Sequence, residues 1–311
     1  MTRGPEFFSY DNGVPRNRLG LDDAETFALI ERDLTFVRTL EIKNGTAPEA
    51  TRSGQFDLEH LRAIHRHIFQ DVYEWAGTTR NQTMTIEGQQ VRAAPLIYKD
   101  DGRVPVPFVP SQQVNRSLNR TLDQLREQNL LRDLPRPEFA DRAAVVFSEI
   151  NSAHPFMEGN GRTQREFMIQ LAGQAGHLLN FDVVSAERMS VVSLEARMGD
   201  VSGMQRLFQE ISDPGRVAAL KMAQGFLDRE QVDWQDLYIA TATPGRAYNA
   251  DIAIISRDVV VTRSESDVIV AQTSDLNGQT EGRVRFTASE YPSPAQDGEV
   301  QQRSRQLDWD V

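Results

Sequence analysis

Apolar residues recur at helical spacing along most of the chain. Phe27, Ile30, Leu34 and Val37 lie three or four apart, the stripe of an amphipathic helix. That helix is expected to start at Asp22, with Glu25 three residues on as its capping-box partner. The Gly45–Gly54 stretch interrupts the pattern, and a second helix follows from near Asp57, with Leu58, Leu61, Ile64 or His65, and Ile68 on one face. Val114, Leu118, Leu122 and Leu125 define a helix over about 111–128, and Ala143, Val146, Phe147 and Ile150 define another that opens near Pro137. Further helices are expected over 161–175, with Gly176 at C′, and over 185–198, 203–211 and 214–228. Between Thr78 and Val91 the period changes. Thr83-Met84-Thr85-Ile86, then Glu87-Gly88, then Gln89-Gln90-Val91 reads as a short β-hairpin. The Pro105–Pro110 run is an extended connector. Beyond Asp233 the texture is β-branched, with short runs at 237–243, 251–256, 259–262, 267–273 and 283–288 that suit a small barrel, OB-like in type.

The expected fold class is therefore mainly α, a helical core with one β-hairpin, followed by a small C-terminal β domain. The expected divisions are a flexible lead-in over 1–20, a helical domain over 21–228, a β domain over 235–296 and a frayed tail over 297–311. With 311 residues the length prior is about two domains. A hydrophobic share of 39% and a charged share of 25% are those of a globular chain. The net charge of −11 removes any global pull on nucleic acid or anionic membrane, although a locally positive pocket can still take a polyanion. Residues 235–311 carry −5, so nucleic-acid binding by the β domain is not expected. No apolar run nears the roughly 18 residues of a membrane span, and Met1–Phe7 has no signal-peptide character. Zero cysteines exclude disulfides, thiolate zinc sites and a cysteine nucleophile, which is compatible with a cytoplasmic working place.

The chemistry is concentrated in His154-Pro155-Phe156-Met157-Glu158-Gly159-Asn160-Gly161-Arg162-Thr163-Gln164-Arg165, which joins two expected helices. Glycines flanking an Asn let the backbone turn tightly and approach a ligand. The first turn of the second helix then offers free N–H groups at a positive dipole end. Arg162 and Arg165 lie three apart, so both can face one anion, and two guanidinium forks beside an N–H nest suit a di- or triphosphate. Glu158, next to that nest, points to a shared divalent cation such as Mg²⁺. His154 supplies an imidazole able to accept a proton at neutral pH. His60, His65 and His67 read as core or surface residues rather than a zinc site, because 65 and 67 point to different sides of a helix. Tyr73 and Trp75 read as core, and Met189, Met198 and Met204 as gap fillers.

The twelve-residue stretch resembles the signature of Fic-domain proteins, His-Pro-Phe-x-(Asp/Glu)-Gly-Asn-Gly-Arg-x-x-Arg, at every defining position, and Tyr73-Glu74-Trp75-Ala76-Gly77 is similar to that family's approach to its target-binding flap. The similarity covers roughly 20–228. Joined to a C-terminal β domain, the arrangement resembles the Bartonella effector proteins and related toxins sent through type IV secretion systems. The resemblance implies transfer of AMP from ATP to a Ser, Thr or Tyr hydroxyl of a target protein, with pyrophosphate released. It makes His154 the general base and Glu158 the Mg²⁺ ligand. Gly159, Asn160 and Gly161 become the anion nest, with Asn160 at the α-phosphate, and Arg162 and Arg165 hold the outer phosphates. Relatives that phosphorylate instead carry Lys where this chain has Gly161. The hairpin becomes the flap, with Thr83, Met84, Thr85, Ile86 and Val91 docking an extended target segment. Related targets include small GTPases and type II topoisomerase subunits.

The inhibitory pattern of many relatives, Ser/Thr-x-x-x-Glu-Gly/Asn on a helix, has one formal match, Thr83 to Gly88, but on the hairpin. A small antitoxin protein acting in trans is therefore the expected silencer. The alternatives are a Fic-fold phosphotransferase or other nucleotide-derived group transferase, and a non-enzymatic binding module. The expected localisation is cytoplasmic, or secreted into a recipient or host cell by a type IV system.

Overall fold

The computed structural model describes residues 2–98, 103–264 and 267–292; the expected tail over 297–311 lies outside them. Its helices are α1 (Ala24–Lys43), α2 (Leu58–Phe69), α3 (Val114–Glu127), α4 (Arg136–Ala153), α5 (Asn160–Gln174), α6 (Ala186–Arg197), α7 (Ser202–Ile211) and α8 (Pro214–Arg229). Asp57, Ser185 and Asp213 each cap a helix by accepting the N–H three residues on. At α1 the cap is Asp23 rather than Asp22: its carboxylate accepts from Thr26 N–H at 2.9 Å, while Asp22 gives its carbonyl to the Asn12 amide.

Helix α4 forms the centre, packed against α3, α5, α6 and α7. Ala140, Ala143, Ala144 and Ala153 are fully buried on it, and small side chains let neighbouring helices come close. Leu118, Leu122 and Leu125 of α3 complete that interior. Helix α1 departs from its expected face. Ile30 and Val37 are 38% and 53% exposed, whereas the buried residues are Phe27, Glu31, Thr35 and Ile42. The inward face is partly polar because it serves the site described below.

Residues 2–20 carry structure despite their loop-like composition. Phe8 and Val14 are buried. The Asn17 side chain donates to Pro15 O and Leu21 O and accepts from the Leu19 and Leu21 amides. Strand β1 (Thr2–Arg3) pairs in parallel with β3 (Gln89–Val91), which pairs antiparallel with β2 (Met84–Ile86). The hairpin thus supplies the central strand, β3, and one edge, β2, of a three-stranded sheet of order β1-β3-β2.

The C-terminal strands are β4 (Tyr238–Thr241), β5 (Ala247–Ile255), β6 (Val259–Ser264), β7 (Asp267–Gln272) and β8 (Arg283–Thr287), in the order β4-β7-β6-β5-β8. The expected barrel does not close among the described residues. Strand β4 adds in parallel to β7 at one edge, β8 adds antiparallel to β5 at the other, and β4 and β8 do not pair. One face of the sheet (Ile239, Val259, Val261, Val268, Val270) shares the core of the helical body. The other face forms a small core with Val260, Ile269, Val284 and Phe286. Burial on both faces explains the unbroken apolar runs of β6 and β7.

A buried ion pair ties sheet to helices. Arg188 of α6 and Glu210 of α7 pair bidentately at 2.8 Å, with side chains 1% and 5% exposed. Arg188 also donates to Ile239 O at 3.1 Å, and Glu210 accepts from Thr241 N–H at 3.0 Å. Removing one member leaves a buried charge without its counter-ion. Glu210→Ala should cost about 3–5 kcal/mol in urea denaturation. The double change Arg188→Met, Glu210→Leu should recover most of that loss.

Candidate active site

Helix α4 ends at His154, which is left-handed (φ 44°, ψ 63°) and donates its N–H to Ile150 O at 3.1 Å. A non-glycine residue there costs on the order of 1 kcal/mol, and Pro155 prevents the helix from continuing. Asn160, the first residue of α5, closes the loop back on itself. Its Oδ1 accepts from Phe156 N–H at 2.9 Å and its Nδ2 donates to Phe156 O at 2.8 Å. Gly159 is required twice: its φ is 78°, and a Cβ there would fall 2.2 Å from the Phe69 ring. At Gly161 a Cβ would meet nothing within 4 Å. No side chain caps the first turn of α5, so its N–H groups and positive dipole end remain available to an anion.

That turn opens on a cavity of about 350 Å³ lined by His154, Asn160, Gly161 and Arg165, with Phe108 and Met189 among its walls. The His154 imidazole stacks on Phe108 at 3.9 Å and 21°, and the Arg197 guanidinium lies 4.7 Å from the same phenyl ring. Arg165 makes no hydrogen bond or ion pair among the described residues. Burial is the main influence lowering its pKa, with Arg162 adding and Asp182 opposing. It is still a cation at neutral pH.

The two motif arginines part company. Arg162 donates bidentately to Glu31 at 2.5 and 2.8 Å and to Thr35 Oγ1 at 2.9 Å, and lies 4.7 Å over the Phe69 ring. It therefore anchors α5 to the polar inner face of α1. Both arginines border an adjoining recess of about 500 Å³, but only Arg165 also lines the cavity that holds His154. Glu158 is exposed, yet desolvation by the surrounding protein raises its carboxyl above the usual range, opposed by Arg162 and reinforced by Glu31. Another cavity, about 510 Å³, lies between α6, α7 and the sheet and holds no motif residue.

The hairpin turns Met84, Ile86 and Val91 into the core, at 1%, 2% and 0% exposure. Of its five residues singled out in the sequence, only Thr83 and Thr85 present exposed side chains. Strand β1 occupies the far side of β3, so β2 is the outer edge. Glu87, at the turn, pairs with Arg16 at 2.9 and 3.0 Å and not with a motif arginine.

Three supporting residues carry no distinguishing signal in the sequence. Glu31 and Thr35 interrupt an apparently apolar helix. His65 is fully buried. Its Nδ1 accepts from Gly77 N–H at 2.8 Å, so Nε2 bears the proton and donates to Glu158 O at 3.0 Å. The ring stacks on Phe156 at 3.8 Å. It thereby ties the motif loop to the turn that leads to the hairpin. His60 and His67 go elsewhere, to Thr51 O and Gln170, and to Glu41.

Burial holds His65 down to about 3, so it is neutral in the folded protein. An unfolded histidine takes a proton below about 6.5, so this site loses folding free energy as pH falls from about 6.5 towards 3, at ~1.4 kcal/mol per pH unit. His65→Gln should be less stable than wild type at pH 7.5, with the gap narrowing at that rate between pH 6 and 4 in urea titrations. A gap independent of pH would contradict the assignment. By the same method Gly159→Ala should lose at least ~2 kcal/mol, whereas Gly161→Ala should be neutral or gain up to ~1 kcal/mol.

Comparison with known proteins agrees with this geometry. The Fic/DOC family model matches residues 55–172. A protein adenylyltransferase of Bartonella henselae is 32% identical over 246 residues, 78% of this chain and 44% of that protein. A probable protein adenylyltransferase Fic of Salmonella typhimurium is 31% identical over 203 residues, 65% of this chain and 90% of that one. The chain thus spans less than half of the first relative but nearly all of the second. Among solved structures, the type IV secretion system effector protein BepA superposes with a TM-score of 0.82 at 28% identity, covering 93% of this chain and 98% of that one. The BepC protein of Bartonella tribocorum, solved with bound AMPPNP, superposes with a TM-score of 0.60 at 30% identity, covering 66% and 95%. With its motif assembled at the joint of α4 and α5, the chain belongs to the Fic/DOC family.

Proposed function

We propose that the protein is a protein adenylyltransferase that moves AMP from ATP to a Ser, Thr or Tyr hydroxyl of a target protein. One observation carries this reading: an imidazole, an uncapped helix N-terminus and a guanidinium without a partner among the described residues share one cavity. The names of the relatives support it. The target hydroxyl oxygen attacks the α-phosphorus and its proton passes to His154; the bond from the α-phosphorus to the bridging oxygen breaks, and pyrophosphate leaves. The chain contributes position and charge, as is general in phosphoryl transfer. The first turn of α5 meets the phosphates with its N–H groups, and Arg165 meets their outer charge. Asn160 acts chiefly through the loop it closes, and Arg162 through its hold on α1.

Glu158 fits a Mg²⁺ ligand. The residue is exposed, directly precedes the nest in sequence and makes no side-chain hydrogen bond among the described residues, although it does not line the cavity that holds His154, and Mg²⁺ commonly takes a single carboxylate together with phosphate oxygens. Bound there, the ion would neutralise phosphate charge. Gly161, in place of the lysine of phosphorylating relatives, favours AMP transfer over phosphate transfer.

An extended target segment would add along the β2 edge, with Thr83 and Thr85 beside it. The partner is a protein, a GTPase or topoisomerase subunit being the classes the family resemblance suggests, with a small antitoxin in trans as silencer. The name of the BepA neighbour supports an effector or toxin delivered by type IV secretion from a cytoplasmic origin. No helix among the described residues is long and apolar enough to cross a membrane. The face that the C-terminal sheet shares with the helical core supports a packing role for it, and the −5 charge of 235–311 argues against nucleic acid as its ligand.

Incubation with a lysate and ATP labelled at either the α or the γ phosphate tests the reading. Label should enter protein from the α position only, with an added adenylyl mass. Label from the γ position alone would overturn it. His154→Ala should lower transfer at least ~100-fold, and Arg165→Ala should raise the KM for ATP ~10-fold or more.

A further inference from the structure

Arg80 lies on the segment between α2 and the hairpin and is 1% exposed. It has no ion-pair partner among the described residues. All its contacts are neutral acceptors. Nε donates to His154 O at 2.7 Å, one terminal nitrogen donates to Ser111 Oγ at 2.6 Å, and the other donates to Val109 O and, at 3.0 Å, to Ala153 O. Its backbone N–H donates to Pro155 O at 2.7 Å. Three consecutive carbonyls, those of 153, 154 and 155, therefore accept from this one residue.

A buried guanidinium without a carboxylate is costly unless its donors are all engaged. Here the acceptors include the closing carbonyls of α4, the negative end of an 18-residue helix dipole. The chain places a full charge in its interior at the point where His154 leaves the helix. The same guanidinium holds Val109, next to Phe108, whose ring seats the imidazole at 3.9 Å. Arg80 itself does not line the cavity.

We infer that Arg80 is the positioning residue for His154: it clamps the backbone on both sides of the imidazole and so fixes where that ring points. This rests on the reading of His154 as general base. The role is mechanical, acting through carbonyls 153–155 and through Phe108, and a lysine cannot reproduce it because one ammonium lacks the planar fork.

The test compares wild type with Arg80→Lys and Arg80→Met. With ¹⁵N-labelled histidine, the imidazole signals of His154, assigned by its loss in His154→Asn, should shift or broaden in both variants, while those of His60 and His177 stay in place. In AMP transfer, kcat should fall ~10-fold for Arg80→Lys and ~30- to 100-fold for Arg80→Met, with the KM for ATP and the Kd for a non-hydrolysable ATP analogue within ~3-fold. Should Arg80→Met fail to fold, Arg80→Lys, which keeps the charge, decides alone. Unmoved His154 signals in a folded variant would overturn the inference, as would a Kd that worsens as much as kcat. The spectroscopic arm needs no turnover. A wild type that transfers no AMP would therefore refute the proposed function while leaving the placement of His154 decided.

Discussion

Two helix ends meet across the six residues 154–159, and the site depends on their being treated oppositely. The end of α4 is the negative pole of its dipole and the start of α5 is a positive one. Left open together, they would cancel over the cavity and give an anion no reason to settle. The structure quenches one and exposes the other. Arg80 takes up the closing carbonyls of α4, while α5 begins without a side-chain cap. Asn160 then locks the intervening loop through both hydrogen bonds to Phe156, so the separation of the two poles is fixed by covalent length and one amide.

Polar groups in the interior recur as fasteners between segments remote in sequence. His65 joins the loop to the turn at Gly77. Arg162 joins α5 to α1 through Glu31 and Thr35. The Arg188–Glu210 pair joins two helices to the edge of the sheet through Ile239 and Thr241. Each would be expensive if half satisfied, and each is tied to backbone or to a neighbour by more than one bond. Apolar packing alone would hold these elements together with less control over their register. The fasteners specify where α5, α6 and the loop stand relative to the cavity.

The pairing of Arg162 also divides labour within the motif. One guanidinium holds the helix, and the other lines the cavity without a hydrogen-bond or ion-pair partner among the described residues. Had both projected into the cavity, two buried like charges would have faced each other without an anion present, which is unfavourable in a partly desolvated space. Pairing with Glu31 offsets part of that repulsion, although Arg162 still lowers the pKa of Arg165. The N-terminal segment performs a similar service for the hairpin: β1 covers one side of β3, and Arg16 holds Glu87 at the turn, so one strand edge is left open instead of two.

Much of this was legible in residue order. The helix boundaries, the hairpin at 84–91 and the motif at a helix–helix joint follow from local signals: caps, period and turn residues. The same signals place His154 and the Gly159–Gly161 turn at that joint. The inner face of α1 was not legible, because Ile30 and Val37 continue an apolar stripe and nothing nearby in sequence announces that Glu31 and Thr35 face a guanidinium 131 and 127 positions away. The openness of the sheet was hidden too, since strand number does not fix which edges pair. Arg80 and His65 look like any arginine and histidine until the partners arrive from the end of α4, the 154–159 loop, Gly77 and the 109–111 segment. Local chemistry singled out the candidate groups. Their orientation was decided only in three dimensions, because the hydrogen-bond acceptors that fix it come from residues brought together by packing.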